Sequence, residues 1–311
     1  MNHTFSNRSG GKTDVSEGLT TGPFTTKDPS EPCPRTQHEA KAGEYWPEYY
    51  KGEVEEMENH SENGTWTLVK LSSLPPGAKV LRTKWVYADQ KDEAGKICRF
   101  KARLTAMGNF QRKNIDFFET FASVMRTKTF RVLLQLWNAS SDHEMEHWDI
   151  KAAFINAPME EDIWIRQPNG HEVEGAEKMV CKLNKAIYGC RQSARAWMLY
   201  LKKMLTKAGS SPLKKDEAVF AKRSAEGGWC FIGTHVDDLF VVRNKRGITF
   251  REEAWDSLGS KVTVKNLGQV HWALKTQIDR DPEGGVLKIS QSAYAKEIIQ
   301  RFGFADIKIA T

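Results

Sequence analysis

The sequence predicts an α+β fold built on a mainly antiparallel sheet. Short segments with alternating apolar residues follow one another directly along the chain, and helical segments separate them only at irregular intervals. Turn residues, Ala94-Gly95-Lys96 and Glu283-Gly284-Gly285, lie between neighbouring strand segments as they do in β-hairpins. A doubly wound parallel sheet would instead alternate strand and helix regularly. The 311 residues, 40% of them hydrophobic, suffice for a buried core.

The first 64 residues differ in composition from the rest of the chain. Residues 1–40 are rich in Ser, Thr, Gly and Pro and lack periodic apolar residues, so we expect a disordered N-terminal segment. Residues 41–64 are acidic, carry Val54 and Met57 at helical spacing, and end at the turn signal Asn63-Gly64. They predict a helical lead-in to a single domain that comprises residues 65–311.

Within that domain, strands are predicted where β-branched and aromatic residues alternate with polar ones, and helices where apolar residues recur three or four positions apart. The predicted strands are Thr83–Asp89, Cys98–Ala106, Met145–Ile150, Ile163–Gln167, Val180–Leu183, Ala218–Lys222, Trp229–His235, Leu239–Arg243, Lys261–Lys265, Trp272–Ile278 and Val286–Ile289. The predicted helices are Lys128–Trp137, Gln192–Ala208, Phe250–Leu258 and Gln291–Phe302.

Cysteine content and hydropathy disfavour several classes of protein. The five cysteines include no C-x-x-C pair, which speaks against a zinc ribbon or a disulfide framework. No apolar run approaches the roughly 18 residues of a membrane helix. The N-terminus lacks the apolar core of a signal peptide. We therefore expect a protein that is not secreted and has no membrane partner.

The net charge of +6 conceals an asymmetry along the chain. Residues 1–64 contain 6 basic and 12 acidic residues, whereas residues 65–311 contain 40 basic and 28 acidic ones. The excess of basic residues is densest in residues 79–131, which contain 13 basic and 5 acidic residues. A concentrated positive field suits a polyanion such as nucleic acid, although an ordinary solvated surface would have the same composition.

An acidic pair, Asp237-Asp238, interrupts the apolar run from Phe231 to Val242. Two apolar strands joined by adjacent acids predict a hairpin whose tip carries both carboxylates. Because adjacent like charges repel, cations would stabilise this arrangement, and oxygen ligands suit Mg²⁺. The alternative interpretation is a solvent-exposed Asp-Asp turn.

A third carboxylate, Asp149, lies near the end of the predicted strand Met145–Ile150. If it faces the hairpin tip, three carboxylates from two sheet elements would be able to hold two divalent cations about 3.5–4 Å apart, as in phosphoryl-transfer sites. The alternative role of Asp149 is to cap the helical turn that follows, and the two roles are compatible.

A series of short motifs continues along the chain. These are Asn63-Gly64-Thr65-Trp66, Lys84-Trp85-Val86, Phe100-Lys101-Ala102-Arg103-Leu104, Ile115-Asp116-Phe117-Phe118-Glu119-Thr120-Phe121-Ala122, Trp148-Asp149-Ile150-Lys151-Ala152-Ala153-Phe154, Cys181-Lys182-Leu183-Asn184-Lys185-Ala186-Ile187-Tyr188-Gly189, Val236-Asp237-Asp238, Leu267-Gly268 and Ser290-Gln291-Ser292-Ala293-Tyr294. The ordered series spans roughly four-fifths of the chain and resembles the reverse transcriptase of copia-type retrotransposons.

The resemblance implies an RNA-directed DNA polymerase with a right-hand palm and fingers. It implies that Asp149, Asp237 and Asp238 are catalytic and bind two Mg²⁺ ions, with Mn²⁺ as a substitute. The substrates would be dNTPs, and the partners an RNA template and a DNA or RNA primer. It also implies a cytoplasmic location, in a virus-like particle, or a nuclear one. The oligomeric state is not predicted.

Further residues acquire nucleotide or primer roles by the same resemblance. Phe154 matches an aromatic residue under the incoming sugar, and Gln192 matches a glutamine that contacts the nucleotide. Trp272 belongs to a late hairpin that resembles the primer-gripping element. The residues themselves also allow simpler roles, with Phe154 in the core and Gln192 at the start of a helix. Lys101 and Arg103 alternate on a basic strand and suit a triphosphate, although such residues are usually solvated.

Departures from the family pattern, which include Cys190-Arg191 in place of Leu-Lys, leave a second functional hypothesis open. His235 replaces the tyrosine before Val-Asp-Asp, Ala157 replaces a glycine, and Lys275 replaces the glycine of the late hairpin. If that glycine has a positive φ, lysine costs about 1 kcal/mol or more. The alternative to an active polymerase is a relic that binds nucleic acid without turnover. Because the length leaves no room for integrase, protease or RNase H, we expect a fragment of a polyprotein or a degraded element.

One further motif indicates a different enzyme class. His143-Glu144-Met145-Glu146-His147 satisfies the H-E-x-x-H pattern of zinc metalloproteases, which requires a helix. Ser140-Ser141-Asp142 ends the preceding helix and a strand begins within the motif, so alternation would place His143, His147 and Asp149 on one strand face. No third zinc ligand is evident, and this alternative is remote.

Overall fold

A computed structural model describes residues 27–29, 31–91, 96–283 and 285–304. Its helices are α1 Gln37–Ala42, α2 Trp46–Glu62, α3 Thr127–Asn138, α4 Ala153–Asn156, α5 Ser193–Lys207, α6 Ile248–Gly259 and α7 Ser292–Arg301. Its strands are β1 Trp66–Lys70, β2 Val80–Leu81, β3 Thr83–Lys91, β4 Ile97–Ala106, β5 Glu144–Ile150, β6 Trp164–Ile165, β7 Met179–Leu183, β8 Ser211–Leu213, β9 Asp216–Arg223, β10 Trp229–His235, β11 Asp238–Arg243, β12 Val264–Gln269, β13 Trp272–Ala273, β14 Thr276–Asp281 and β15 Val286–Ser290.

The largest sheet has six strands in the order β12-β5-β11-β10-β9-β8, and every neighbouring pair in it is antiparallel. Two hydrophobic clusters cover its two faces. Leu239 and Val241 of β11 belong to the cluster that includes residues of α5 and α6, and Phe240 and Val242 belong to the one that includes residues of α3. Because side chains alternate across a strand, a strand covered on both faces is apolar throughout.

Smaller sheets surround this one. They are the hairpin β3-β4, the three-stranded sheet β13-β14-β15 and the four-stranded sheet β1-β7-β6-β2. In the part of the chain that the structure describes, β2 and β6 form the one parallel pair. A mixed α/β fold with mainly antiparallel sheets is therefore confirmed. None of the helices in the same ranges combines the length and apolar character needed to traverse a bilayer.

The residues before the domain pack onto the β3-β4 hairpin. The predicted helical lead-in corresponds to α2, which contacts β4 through a cluster of aromatic and apolar residues. The segment that was expected to be disordered lies largely outside the described residues, but α1 begins within it, at Gln37. Glu53 of α2 is fully buried. Its carboxylate accepts hydrogen bonds from Gln37 Nε2 and the Tyr87 hydroxyl, and it lies 2.9 Å from His171 Nε2.

Two predicted strands in the last part of the chain are wrong in their bounds. The segment Lys261–Lys265 enters the sheet only at Val264, because α6 continues to Gly259 and a turn follows. The predicted strand Trp272–Ile278 is broken by a turn at Leu274-Lys275, where both residues have positive φ, +50° and +59°. The apolar pattern runs through this turn, so alternation alone does not reveal it.

Candidate active site

The β10–β11 hairpin carries the acidic pair at its tip. His235 pairs with Asp238, which leaves Val236 and Asp237 as a two-residue turn. Val236 has φ +59°, a strained value for a β-branched residue at a position where a hairpin turn usually has glycine. Two hydrogen bonds hold the turn: Trp197 Nε1 donates to the Val236 carbonyl at 2.7 Å, and the Ile150 amide donates to the Asp237 carbonyl at 2.9 Å.

The third carboxylate comes from the neighbouring strand. β5 pairs with β11 in a register that sets Asp149 directly opposite Asp238. Opposite residues of an antiparallel pair have Cβ atoms about 4.5–5.5 Å apart, where like charges destabilise the sheet. Burial raises the pKa of Asp149, and Asp238 raises it further. Burial also raises the pKa of Asp237, with additional effects of Asp238 and Asp149. Three carboxylates therefore converge at one end of the sheet.

A histidine that the sequence indicated only as a candidate zinc ligand contacts this group. His147 Nε2 lies 2.7 Å from Asp238 Oδ1, and its ring stacks on Phe240 at a centroid distance of 5.0 Å. Alternation along the predicted strand had already placed His147 on the face of Asp149. The contact with Asp238 depends on the pairing of β5 with β11, which a single sequence does not reveal.

The chemistry of the three carboxylates fits a hard divalent cation, because their oxygens are the ligands that Mg²⁺ and Mn²⁺ prefer. Burial and the neighbouring acids raise the pKa of Asp149 and Asp237, so positive charge nearby would favour the ionised form of both. Across residues 27–29, 31–91, 96–283 and 285–304, no three His, Cys, Asp or Glu side chains are close enough together to form a ready-made metal site. The structure thus shows convergence of Asp149, Asp237 and Asp238 rather than a closed ligand set.

The basic strand β4 lies within electrostatic range of these acids. Burial lowers the pKa of the Lys101 ammonium, and Arg103 and Arg99 lower it further. The negative charges of Asp149 and Asp237 oppose this effect. Arg103 in turn lowers the pKa of Asp237, against the dominant effect of burial. The charge of Lys101 therefore acts on Asp149 and Asp237, and that of Arg103 acts on Asp237.

Phe154 is connected to the same strand through Tyr188. Phe154 lies on the short helix α4, just after Ala152, whose φ is +52°. The rings of Phe154 and Tyr188 meet edge to face at a centroid distance of 4.8 Å, and the Arg103 guanidinium lies 4.6 Å from the centre of the Tyr188 ring. Tyr188 belongs to the motif that runs from Cys181 to Gly189, but its spacing in the sequence does not indicate these contacts.

Gln192 contacts the loop that precedes α3, and both ends of its side-chain amide are hydrogen-bonded there. Its side chain is 3% exposed. Its amide oxygen accepts from Gln111 Nε2 at 3.0 Å, and its amide nitrogen donates to the Asp116 carbonyl at 3.2 Å. Arg112 and Asp116 form a two-bond ion pair beside it. Gln192 thus braces the loop before α3.

Trp272 lies in a different part of the fold. It belongs to β13 of the three-stranded sheet, and 47% of its surface is exposed. Its hairpin partner is Gln277 of β14. It is not part of the group formed by the carboxylates, Lys101, Arg103 and Phe154.

The departures from the family pattern at Ala157, Lys275 and His235 have different structural consequences. Ala157 is buried at φ −80°, where alanine is unstrained. Lys275 has φ +59°, so the anticipated backbone strain is present. Its ammonium lies 4.3 Å from the centre of the Tyr294 ring and 3.8 Å from Glu297 Oε2. His235 pairs with Asp238 across the hairpin.

The zinc-protease motif does not form the helix that its chemistry requires. Glu144–His147 belong to strand β5, and His143 precedes it. His143 Nδ1 lies 2.6 Å from the Leu136 carbonyl, whereas His147 contacts Asp238. The two histidines therefore have separate partners, and this alternative has no support.

Comparison with known proteins connects this geometry to a family. Residues 63–311 match the family model described as reverse transcriptase (RNA-dependent DNA polymerase). The chain is 35% identical over 258 residues to the retrovirus-related Pol polyprotein from transposon TNT 1-94 of Nicotiana tabacum, which covers 83% of the chain and 19% of that polyprotein. It is 28% identical over 279 residues to the retrovirus-related Pol polyprotein from transposon RE1 of Arabidopsis thaliana, covering 89% and 18%.

The chain thus spans about a fifth of the length of these relatives. The matched region contains the six-stranded sheet, the hairpin β3-β4 and the three converging aspartates. The chain belongs to the reverse transcriptase (RNA-dependent DNA polymerase) family and carries a copia-type reverse transcriptase domain.

Proposed function

We propose that the protein is an RNA-directed DNA polymerase of a copia-type retrotransposon, which adds dNTPs to the 3′ end of a primer on an RNA template by two-metal phosphoryl transfer. The observation that carries this proposal is the register of β5 against β11, which sets Asp149 opposite Asp238 beside the turn that holds Asp237. In this proposal, the six-stranded sheet is the palm, and β3 and β4 belong to the fingers.

The three aspartates would hold the two Mg²⁺ ions of the reaction. Bound there, the ions would activate the primer 3′ hydroxyl and stabilise the leaving pyrophosphate. The fixed backbone of the Val236-Asp237 turn positions the acids, since Trp197 and Ile150 hold both of its carbonyls. The raised pKa values of Asp149 and Asp237 indicate a site in which positive charge from ligands would be favourable.

Neighbouring side chains would bind the nucleotide. Lys101 and Arg103 supply charge-assisted hydrogen bonds suited to phosphate oxygens. Phe154 would lie against the sugar and disfavour a 2′ hydroxyl. Gln192 would support the nucleotide site from its buried position, and Trp272 would contact the primer strand. Family membership supports these roles, and the contacts described above add support for those of Arg103 and Phe154.

Primer extension tests the proposal. Purified protein is incubated with an oligonucleotide-primed RNA template, dNTPs and Mg²⁺, and extension is compared with that of Asp237→Asn/Asp238→Asn. The matched control is Asp162→Asn, which makes the same change at an exposed aspartate paired with Lys182. We expect extension by the wild type and the control and none by the double variant. Equal incorporation by all three would refute the polymerase assignment.

A second candidate is a nucleic-acid-binding relic without turnover. The observation in its favour is the strained turn at Lys275, where the family pattern has glycine. Such a protein would bind primed RNA with an affinity that falls steeply with salt, because basic residues displace counterions from phosphates. Salt-dependent binding that survives Asp237→Asn/Asp238→Asn, combined with no extension by the wild type, would establish this function instead.

A further inference from the structure

Three side chains from separate segments form a column beside the carboxylates. Arg103 comes from β4, Phe154 from α4, and Tyr188 from the loop after β7. Tyr188 stands in the middle, with the Arg103 guanidinium 4.6 Å from its ring centre and the Phe154 ring 4.8 Å away at an interplanar angle of 61°. Phe154 and Arg103 therefore share one neighbour that contacts both.

The backbone of Tyr188 is held firmly to the end of β4. The Ala106 amide donates to the Tyr188 carbonyl at 2.8 Å. Gly189, which follows, has φ +90°, and a Cβ built on it would lie 2.1 Å from the Ala106 carbonyl oxygen. Only glycine permits this approach. The backbone from which the Tyr188 side chain projects is therefore held in place against β4, the strand that carries Arg103.

The column lies within electrostatic range of the carboxylates, where the proposed polymerase would bind a nucleoside triphosphate. Burial raises the pKa of the Tyr188 phenol, while the Arg103 charge lowers it and the Asp237 charge raises it. The ring is thus neutral at physiological pH and within electrostatic range of the carboxylates. An edge-to-face aromatic contact resists displacement of either ring, and a guanidinium over a ring face is attracted by its quadrupole.

We propose that Tyr188 is the positioning residue that holds Phe154 in place and thereby sets the discrimination between dNTPs and rNTPs. This inference rests on the proposed polymerase function. In this proposal the Phe154 ring blocks a ribonucleotide 2′ hydroxyl, and the edge-to-face contact with Tyr188 at 4.8 Å opposes displacement of that ring. Tyr188 also contacts Arg103, so in this proposal it links the phosphate-binding Arg103 to Phe154, which contacts the sugar.

The test compares Tyr188→Leu, Tyr188→Phe, Phe154→Ala and the double variant Tyr188→Leu/Phe154→Ala. The matched control is Tyr50→Leu, at an exposed tyrosine of α2. For each, the ratio of kcat/KM for a dNTP to that for the corresponding rNTP is measured in primer extension, together with the thermal midpoint. We expect Tyr188→Leu to lower the ratio about tenfold, equivalent to about 1.4 kcal/mol. Tyr188→Phe, which keeps the ring, should retain the wild-type ratio.

The double variant shows whether Tyr188 acts through Phe154. If it does, Tyr188→Leu adds no loss of discrimination to Phe154→Ala, since coupled residues are non-additive. The inference would be overturned if the double variant lost as much further discrimination as Tyr188→Leu loses alone. It would also be overturned if a folded Tyr188→Leu protein kept the wild-type dNTP/rNTP ratio. Either result would leave the polymerase function intact.

A second measurement separates the two proposals and does not require turnover. A dideoxy-terminated primer traps the complex with nucleotide, so competition between a dNTP and its rNTP gives the ratio of affinities directly. A lower affinity ratio in Tyr188→Leu, with Tyr188→Phe unchanged, supports the inference. Equal ratios in wild type and Tyr188→Leu count against it. Failure of the wild type to extend any primer contradicts the proposed function and, with it, this inference.

Discussion

Asp237 occupies a position where its negative charge lowers the stability of the fold. Burial and the neighbouring acids raise its pKa above the ordinary value, so the folded state binds the proton more tightly than the unfolded state does. Its unfavourable contribution is absent well below the ordinary aspartate pKa, about 3.9. The contribution grows as pH rises through the raised value, because stability falls with pH where the folded state binds more protons.

We therefore predict that Asp237→Asn raises the thermal midpoint at pH 7 in EDTA while it removes primer extension. The expected rise is about 2–4 °C, corresponding to about 1 kcal/mol for a domain of this size. Thermal unfolding from pH 4 to pH 8 checks the sign, since the gain should shrink toward acidic pH. The control Asp162→Asn should show no such gain, and a fall in the midpoint of Asp237→Asn would contradict the prediction.

Lys275 has a backbone conformation that favours glycine, and the contacts of its side chain offset only part of the resulting strain energy. Leu274 and Lys275 both have positive φ, as in a type I′ turn. A side chain in this region costs about 1–2 kcal/mol, whereas the exposed ion pair with Glu297 contributes little. Its contact with the Tyr294 ring adds to the compensation.

The predicted outcome is that Lys275→Gly is more stable than Lys275→Ala by about 1 kcal/mol, because both lose the side-chain contacts and only glycine relieves the turn. Urea unfolding of the two variants gives this difference directly. Equal stability of the glycine and alanine variants would mean that the positive φ carries no strain.

At the level of elements, the pairing of β5 with β11 determines which side chains meet. Asp149 lies between Asp238 of β11 and Lys265 of β12, while His147, two residues earlier, reaches Asp238 on the same face. A hydrogen bond to a charged group contributes about 1.5–3 kcal/mol. The His147 contact is therefore strong enough to fix the orientation of the Asp238 carboxylate.

Removing that contact should impair catalysis without unfolding the sheet. We predict that His147→Leu lowers the rate of primer extension about tenfold or more at saturating Mg²⁺, because Asp238 loses its hydrogen-bond partner. His147→Gln, which keeps a donor, should retain most of the rate. If His147→Leu is as fast as wild type, or faster, His147 competes with the catalytic role of Asp238 instead of supporting it.

On the scale of the whole molecule, Glu53 joins segments that are far apart in sequence. Its carboxylate is contacted by Gln37 before α2, by Tyr87 of β3 and by His171 in the loop after β6. Burial and the Glu53 charge raise the pKa of Tyr87, which keeps its hydroxyl protonated as a donor. One buried acid thus connects the lead-in to the β3-β4 hairpin and to the loop that carries His171.

Glu53→Ala should therefore destabilise the protein by about 2–4 kcal/mol, since it leaves several buried polar partners unpaired. Glu53→Gln keeps an acceptor oxygen and should cost less. Chemical denaturation of both variants tests this order, with the exposed Glu58→Ala on the same helix as the control. A destabilisation by Glu53→Ala no larger than that of the control would show that the lead-in packs independently of this network.

Local pattern accounts for much of what was predictable. β10 has the predicted bounds, Trp229–His235, and β11 begins one residue earlier than predicted, because alternation and apolar runs follow from the geometry of a single strand. The helices α3, α5, α6 and α7 lie within two residues of their predicted ends for the same reason. The acidic hairpin tip was also predicted, since the turn interrupts an apolar run.

Contacts between distant segments were not predictable in the same way. The sequence alone determined the α+β class, the acidic hairpin and the family resemblance, because each depends on neighbouring residues or on the order of motifs. Only the tertiary structure set Asp149 opposite Asp238, gave His147 its partner, buried Gln192 and brought Arg103 and Phe154 into contact with Tyr188. These contacts depend on strand register and loop packing, which are determined by burial and hydrogen bonding between distant segments. The alternation of apolar residues in one segment constrains only that segment.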